Sequence, residues 1–142
     1  MMSIVEKVLF LTRAPLTARC ATDALARLGA VAHEREVAAG DALFAAGECP
    51  DALWLVVEGA VALERSGGDA TAAPMTARPG DALAPLETLG AAPVAASARA
   101  VAPSRLLRIA RADLDALLDE DGELARVLFA AVVSEGCAGA AI

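Results

Sequence analysis

Tyrosine is absent from these 142 residues, and histidine, tryptophan and lysine occur once each, as His33, Trp54 and Lys7. Aromatic residues make up only 3% of the chain, so any core must be built from Val, Leu and Ala, with Trp54 and three phenylalanines as its few bulky parts. Cations are sparse too. With the arginines scattered among acids and a net charge of −7, the chain lacks the clustered positive surface that displaces counterions from a nucleic-acid duplex. No nucleic-acid partner is expected for this chain by itself. Long apolar runs near the start are also missing: Val8–Leu11 is short and follows Glu6 and Lys7, too charged a setting for a signal peptide or a membrane span. A cytoplasmic location without membrane attachment is the resulting expectation.

Chemistry-bearing clusters are equally thin. Cys20, Cys49 and Cys137 are widely spaced, odd in number and form no CxxC pair, and one histidine cannot complete a Cys/His zinc site. They read as small apolar fillers in a reducing compartment. His33 has no Ser or Cys partner in a recognisable catalytic arrangement. The acidic run Asp113, Asp115, Asp119, Glu120, Asp121 and Glu123 lacks the spacing of a calcium loop and reads as solvated. No metal, no cofactor and no enzymatic activity are expected.

What is present is a hydrophobic fraction of 57%, much of it alanine, in a chain long enough for one domain over 1–142 with its own core. Helical spacing over residues 3–12 and again over 21–28 predicts two N-terminal helices, the second capped by Gly29. From Val31 short strands alternate with glycine-bearing turns: 31–37, 42–45, 52–58 (the strongest), 61–65, 73–78, 94–102 and 104–110, with a hairpin loop at Ser66–Asp69. Residues 111–118 and 122–134 predict two C-terminal helices, and the tail from Glu135 carries little signal. The expected fold is mainly β with flanking α: an antiparallel double-stranded β-helix or jelly-roll barrel over about 30–110, bracketed by helices at about 3–29 and 111–134.

Four glycine landmarks give this order a more specific meaning. Ala39-Gly40-Asp41 through Gly47-Glu48 forms a glycine-bracketed hairpin, and Asp51-Ala52-Leu53-Trp54 through Gly59 a strand and turn. Pro79-Gly80-Asp81 leads into a loop, and Ser104-Arg105-Leu106-Leu107-Arg108-Ile109 with Asp113-Leu114 closes the pattern. Over about residues 4–134 the chain resembles the cyclic-nucleotide-binding domain family, the sensor domain of catabolite-activator-like regulators, kinase regulatory subunits and gated channels. The resemblance implies a regulatory module with a phosphate-binding cassette. There, a short helix starting at a glycine turns backbone N–H groups toward the cyclic phosphate. A glutamate just after that glycine accepts from the ribose hydroxyl, and an arginine further along pairs with the phosphate.

In an alignment without gaps the cassette glycine falls on Ala84, the glutamate on Pro85 and the arginine on Val94, followed by Ala95. Ala84 narrows the backbone angles, Pro85 removes an N–H donor, and Val94 sets an apolar side chain where an anion must be neutralised. Losing two charge-assisted hydrogen bonds corresponds to about 3–6 kcal/mol, on the order of a hundred- to ten-thousandfold in affinity. Binding of cyclic AMP or cyclic GMP is therefore expected to be weak or absent. Two residues are weighed as compensators: Glu87, if the short helix shifts, and Arg99, if its strand changes register. An alternative is a working sensor for a less polar effector, with Ala84, Pro85, Leu86, Val94, Ala95 and Ala96 lining the pocket. On the last helix Leu124, Val127, Leu128, Ala131 and Val132 form an apolar stripe, extended sideways by Phe129 and Val133. The stripe is a candidate surface for a homodimer or a partner protein.

Overall fold

The computed structural model describes residues 1–65 and 75–139, with side chains through Ser134. Helix α1 (Ile4–Arg13) begins at a capping box, in which Ser3 Oγ accepts from the Glu6 N–H and Glu6 Oε1 accepts from the Ser3 N–H, each at 3.1 Å. Helix α2 (Thr22–Val31) crosses it closely. Gly29 is not the end of α2 but lies inside it, buried, where an added Cβ would come 3.2 Å from Val8 of α1. Its smallness sets the helix spacing; the helix ends two residues later.

Eight strands follow, with one short helix among them: β1 (Ala32–Val37), β2 (Ala42–Phe44), β3 (Ala52–Glu58), β4 (Val61–Arg65), β5 (Met75–Ala77), β6 (Ala82–Leu83), α3 (Pro85–Gly90), β7 (Ala96–Ala100) and β8 (Ser104–Ala110). They form two antiparallel four-stranded sheets, β1-β8-β3-β6 and β2-β7-β4-β5. This is the expected jelly-roll with helices at both ends. The hairpin loop at Ser66–Asp69 and the first two positions of the 73–78 strand lie outside the described residues. The turn glycines Gly40, Gly47, Gly59 and Gly80 all take positive φ, between 92° and 97°.

Strand alternation divides the interior in two. Val56, Leu83 and Leu106 of the first sheet meet Phe44, Val61, Leu63, Ala77, Ala96 and Ala98 of the second, and this is the core between the sheets. On the other face of the first sheet, Leu53, Leu55, Leu107 and Ile109 are covered by the helices. The bulky, fully buried side chains are almost all leucine, as the shortage of aromatics requires. Phe129 departs from that plan and is 62% exposed.

Two C-terminal helices, α4 (Arg111–Glu120) and α5 (Gly122–Gly139), complete the cover, and α5 continues past the point where the sequence pattern fades. The stripe read as a partner surface is corrected here. Leu124, Leu128, Ala131 and Val132 are buried in the domain's own core, and Val127 packs against it. An amphipathic stripe shows that a helix has a neighbour; here the neighbour is its own chain. Among the described side chains of α5, the large apolar ones left exposed are Phe129 and Val133. The acidic run is not wholly solvated either: Asp121 binds Arg27 at 2.6 Å, and Asp115 lies 3.8 Å from Arg111.

Cys20 is buried as expected, and burial pushes its thiol up to about 11, which leaves it no thiolate for nucleophilic work at neutral pH. Cys49, by contrast, is exposed in the β2–β3 loop rather than a core filler. His33 is exposed on β1. Among the described residues no helix is long and apolar enough to cross a membrane, and no group of His, Cys, Asp or Glu is placed to hold a metal.

Candidate functional site

The segment between β6 and β7 has the shape expected of a cassette: a turn, then the short helix α3. Ala84, just after β6, adopts a left-handed conformation, φ 43° and ψ 53°, a geometry that glycine takes freely and an L-residue takes at about 1–2 kcal/mol. Pro85 then opens α3 at the position where its fixed φ suits a helix and its missing N–H removes one donor. The turn is closed by Thr88, which is buried and donates both its N–H and its hydroxyl to the Ala84 carbonyl, at 3.0 and 2.8 Å. At the far end Ala91 is left-handed again, φ 56°, and both Ala91 and Ala92 donate to the Glu87 carbonyl. A six-residue helix thus sits between two strained alanines.

Val94 occupies the place assigned to the phosphate-binding arginine. Its backbone is held from both sides: its N–H donates to Glu48 O at 2.9 Å, and its carbonyl accepts from Gly47 N at 2.8 Å. Its side chain is 4% exposed and joins Phe44, Leu83, Ala84 and Ala96 in the core between the sheets. Hydrocarbon fills that position. Ala84 and Ala96 are buried with it, Pro85 is half-buried, and Leu86 and Ala95 are exposed.

Of the two compensators, Arg99 is not brought to this place. Along β7, Ala96, Ala98 and Ala100 turn inward, so Arg99 turns outward; its guanidinium donates to Gly40 O at 2.8 Å on the surface. No register change rescues it, because β7 is paired on both sides, to β2 and to β4. Glu87 is half-buried on α3, and among the described residues its carboxylate enters no ion pair or hydrogen bond.

Two other arginines stand nearer, and neither was singled out from the sequence. Arg108 pairs across the sheet with Trp54, and Trp54 in turn with Leu83, so the three share the face turned toward the core between the sheets. The Arg108 guanidinium lies 5.7 Å from the Trp54 ring centroid and 3.5 Å from Asp51. Arg111 donates to the carbonyls of Pro50, at 2.8 Å, and Thr88. Both acceptors are main-chain groups far away in sequence, a pairing that leaves no local pattern to read.

Comparison with known proteins agrees with this architecture. Residues 34–121 match the family described as the cyclic nucleotide-binding domain. The N-terminal domain of a transcriptional regulator from Streptomyces coelicolor A3(2) is 31% identical, with a TM-score of 0.74 over 89% of this chain and 91% of that one. The catabolite activator protein of Thermus thermophilus is 27% identical, TM-score 0.71, over 89% of this chain and 59% of that one. The regulatory domain of Toxoplasma gondii PKA, solved with cAMP, shares the fold at 16% identity and a TM-score of 0.76, over 96% of this chain and 50% of that one. No curated protein matches the sequence. The family match spans most of the chain and a regulator domain resembles it along nearly its whole length, so this chain belongs to the cyclic nucleotide-binding domain family.

Proposed function

We propose that the chain is a non-enzymatic regulatory module of this family whose cassette binds cyclic AMP and cyclic GMP weakly or not at all. One observation carries the reading: Val94, buried at 4% exposure, belongs to the same buried cluster as Ala84, at the position where the family resemblance places the phosphate-binding arginine. An anion entering there would lose its hydration without gaining a charged partner, which is unfavourable by several kcal/mol. Pro85 at the ribose position supports the same conclusion, as does the outward course of Arg99. A less polar effector is not favoured either, because Val94, Phe44 and Leu83 are buried together in the core between the sheets. Among the described side chains of α5, Phe129 and Val133 are the large apolar ones open to a partner, and the Leu124 stripe is buried.

The test is isothermal titration calorimetry with cyclic AMP and cyclic GMP at high protein concentration. Silence up to millimolar ligand supports the proposal. Micromolar binding overturns it, and Glu87 and Arg99 would then be the residues to mutate.

A further inference from the structure

Arg111 is the first residue of α4, and its contacts reach two other segments. The guanidinium donates to Pro50 O in the β2–β3 loop at 2.8 Å and to Thr88 O in the middle of α3. Its own N–H donates to Asp51 O at 2.8 Å, and its side chain is only 22% exposed. Asp115, one turn further along α4, lies 3.8 Å from its Nε.

The element it grips needs holding. Helix α3 has six residues, too few to persist on helix propensity, and it is flanked by the left-handed Ala84 and Ala91. The left-handed strain at each of those alanines favours release of the segment. Beyond the segment's own hydrogen bonds, contacts from outside the helix oppose release. Val94 is fixed to Gly47 and Glu48, and the Thr88 carbonyl is fixed to Arg111. Hydrogen bonds from a charged donor are among the stronger ones available to such a segment.

We infer that Arg111 is a built-in latch that keeps α3 docked on the start of α4 without a ligand, so that α3 and the C-terminal helices hold one arrangement whether or not nucleotide is present. The latch itself follows from the contacts of Arg111. The indifference to nucleotide rests on the proposal that the cassette does not hold it. A ligand shifts a two-state equilibrium only by its differential affinity for the two states, and the buried Val94 offers a phosphate none. The docked state is then set by the chain's own contacts.

Hydrogen–deuterium exchange on the whole chain tests this, comparing the wild type with and without millimolar cyclic AMP against Arg111→Ala and Arg111→Gln. Exchange in Arg111→Ala is expected to rise about tenfold or more at residues 84–92 and in the first turn of α4 together, with β4 and β7 unchanged. Arg111→Gln keeps two of the three methylenes and an N–H donor, so it is expected to fall between the two. If Arg111→Ala exchanges faster throughout, it has lost its fold and Arg111→Gln is read instead. A rise there confined to the two segments supports the latch; a uniform rise, or none, overturns it. A rise at 84–92 that leaves α4 protected also overturns the coupling. Calorimetry run alongside separates the two ideas. Nucleotide binding by the wild type sinks the proposed function, whereas silence with unresponsive Arg111 variants sinks the latch alone.

Discussion

Arg27 of α2 and Asp121, between α4 and α5, meet at 2.6 Å, and the second oxygen of the same carboxylate accepts from the Leu124 N–H at 3.0 Å. One side chain thereby caps the last helix and ties it to the second. The Leu124 N–H, followed by the Arg27 charge, holds the Asp121 carboxyl below its ordinary range. A lowered folded-state value contributes stability that is present above the unfolded carboxylate range and is lost as pH falls through the folded value. Wild type is therefore expected to melt above Asp121→Asn at neutral pH, with the gap closing as pH is taken below about 4. Thermal melts of both proteins across that range check it, and a gap independent of pH would contradict it.

The two left-handed alanines should answer differently to glycine. At Ala91, which is exposed, relief of strain exceeds the entropy glycine brings to the unfolded chain, so Ala91→Gly is expected to stabilise by about 0.5–1 kcal/mol. At Ala84, which is buried, the same relief is offset by the loss of a buried methyl, about 0.8 kcal/mol, and Ala84→Gly should be close to neutral. Urea titrations of the two variants separate these outcomes.

Gly59 is fixed by its surroundings as well as its conformation. A Cβ there would stand 2.7 Å from the Cβ of Ser104 and 2.8 Å from the carbonyl of Pro103, at a φ of 93°. Gly59→Ala is expected to destabilise by about 3 kcal/mol or more, the sum of left-handed strain and overpacking. Adding Ser104→Ala should recover little, since the Pro103 carbonyl remains. Equilibrium denaturation of the single and double variants measures the difference.

Val94 can be tested as a core residue. Val94→Ala removes buried hydrocarbon and is expected to destabilise by about 2 kcal/mol. Val94→Arg, which restores the charge that the resemblance assigns, buries it among Phe44, Leu83 and Ala84 and should lower stability by about 3–5 kcal/mol. A neutral Val94→Ala would mean that the side chain faces an open pocket.

Much of the fold was legible because its signals are local. β3 carries a long apolar stretch, β8 alternates along its length, and the four turn glycines mark real left-handed positions. Where reading failed, the deciding partner was distant. β6 is only two residues long and exists because it pairs with Trp54 and Leu55. Gly29 resembles a helix cap until Val8 is seen packed on it, and Leu124 resembles an interface until α5 is seen folded onto the domain's own core. The candidate site divides in the same way. Its positions on α3 and β7 could be read one by one, whereas Arg111 acts through the carbonyls of Pro50 and Thr88, which carry no side-chain identity to read.

Trp54 is the only tryptophan in a chain without tyrosine, so practically all of its ultraviolet emission comes from one indole. That indole lies beneath the Arg108 guanidinium and pairs with Leu83, one residue before the backbone turns left-handed into α3. The domain therefore carries an unlabelled optical reporter at the root of its cassette. Any event that shifts α3 will be recorded in the colour and intensity of that emission.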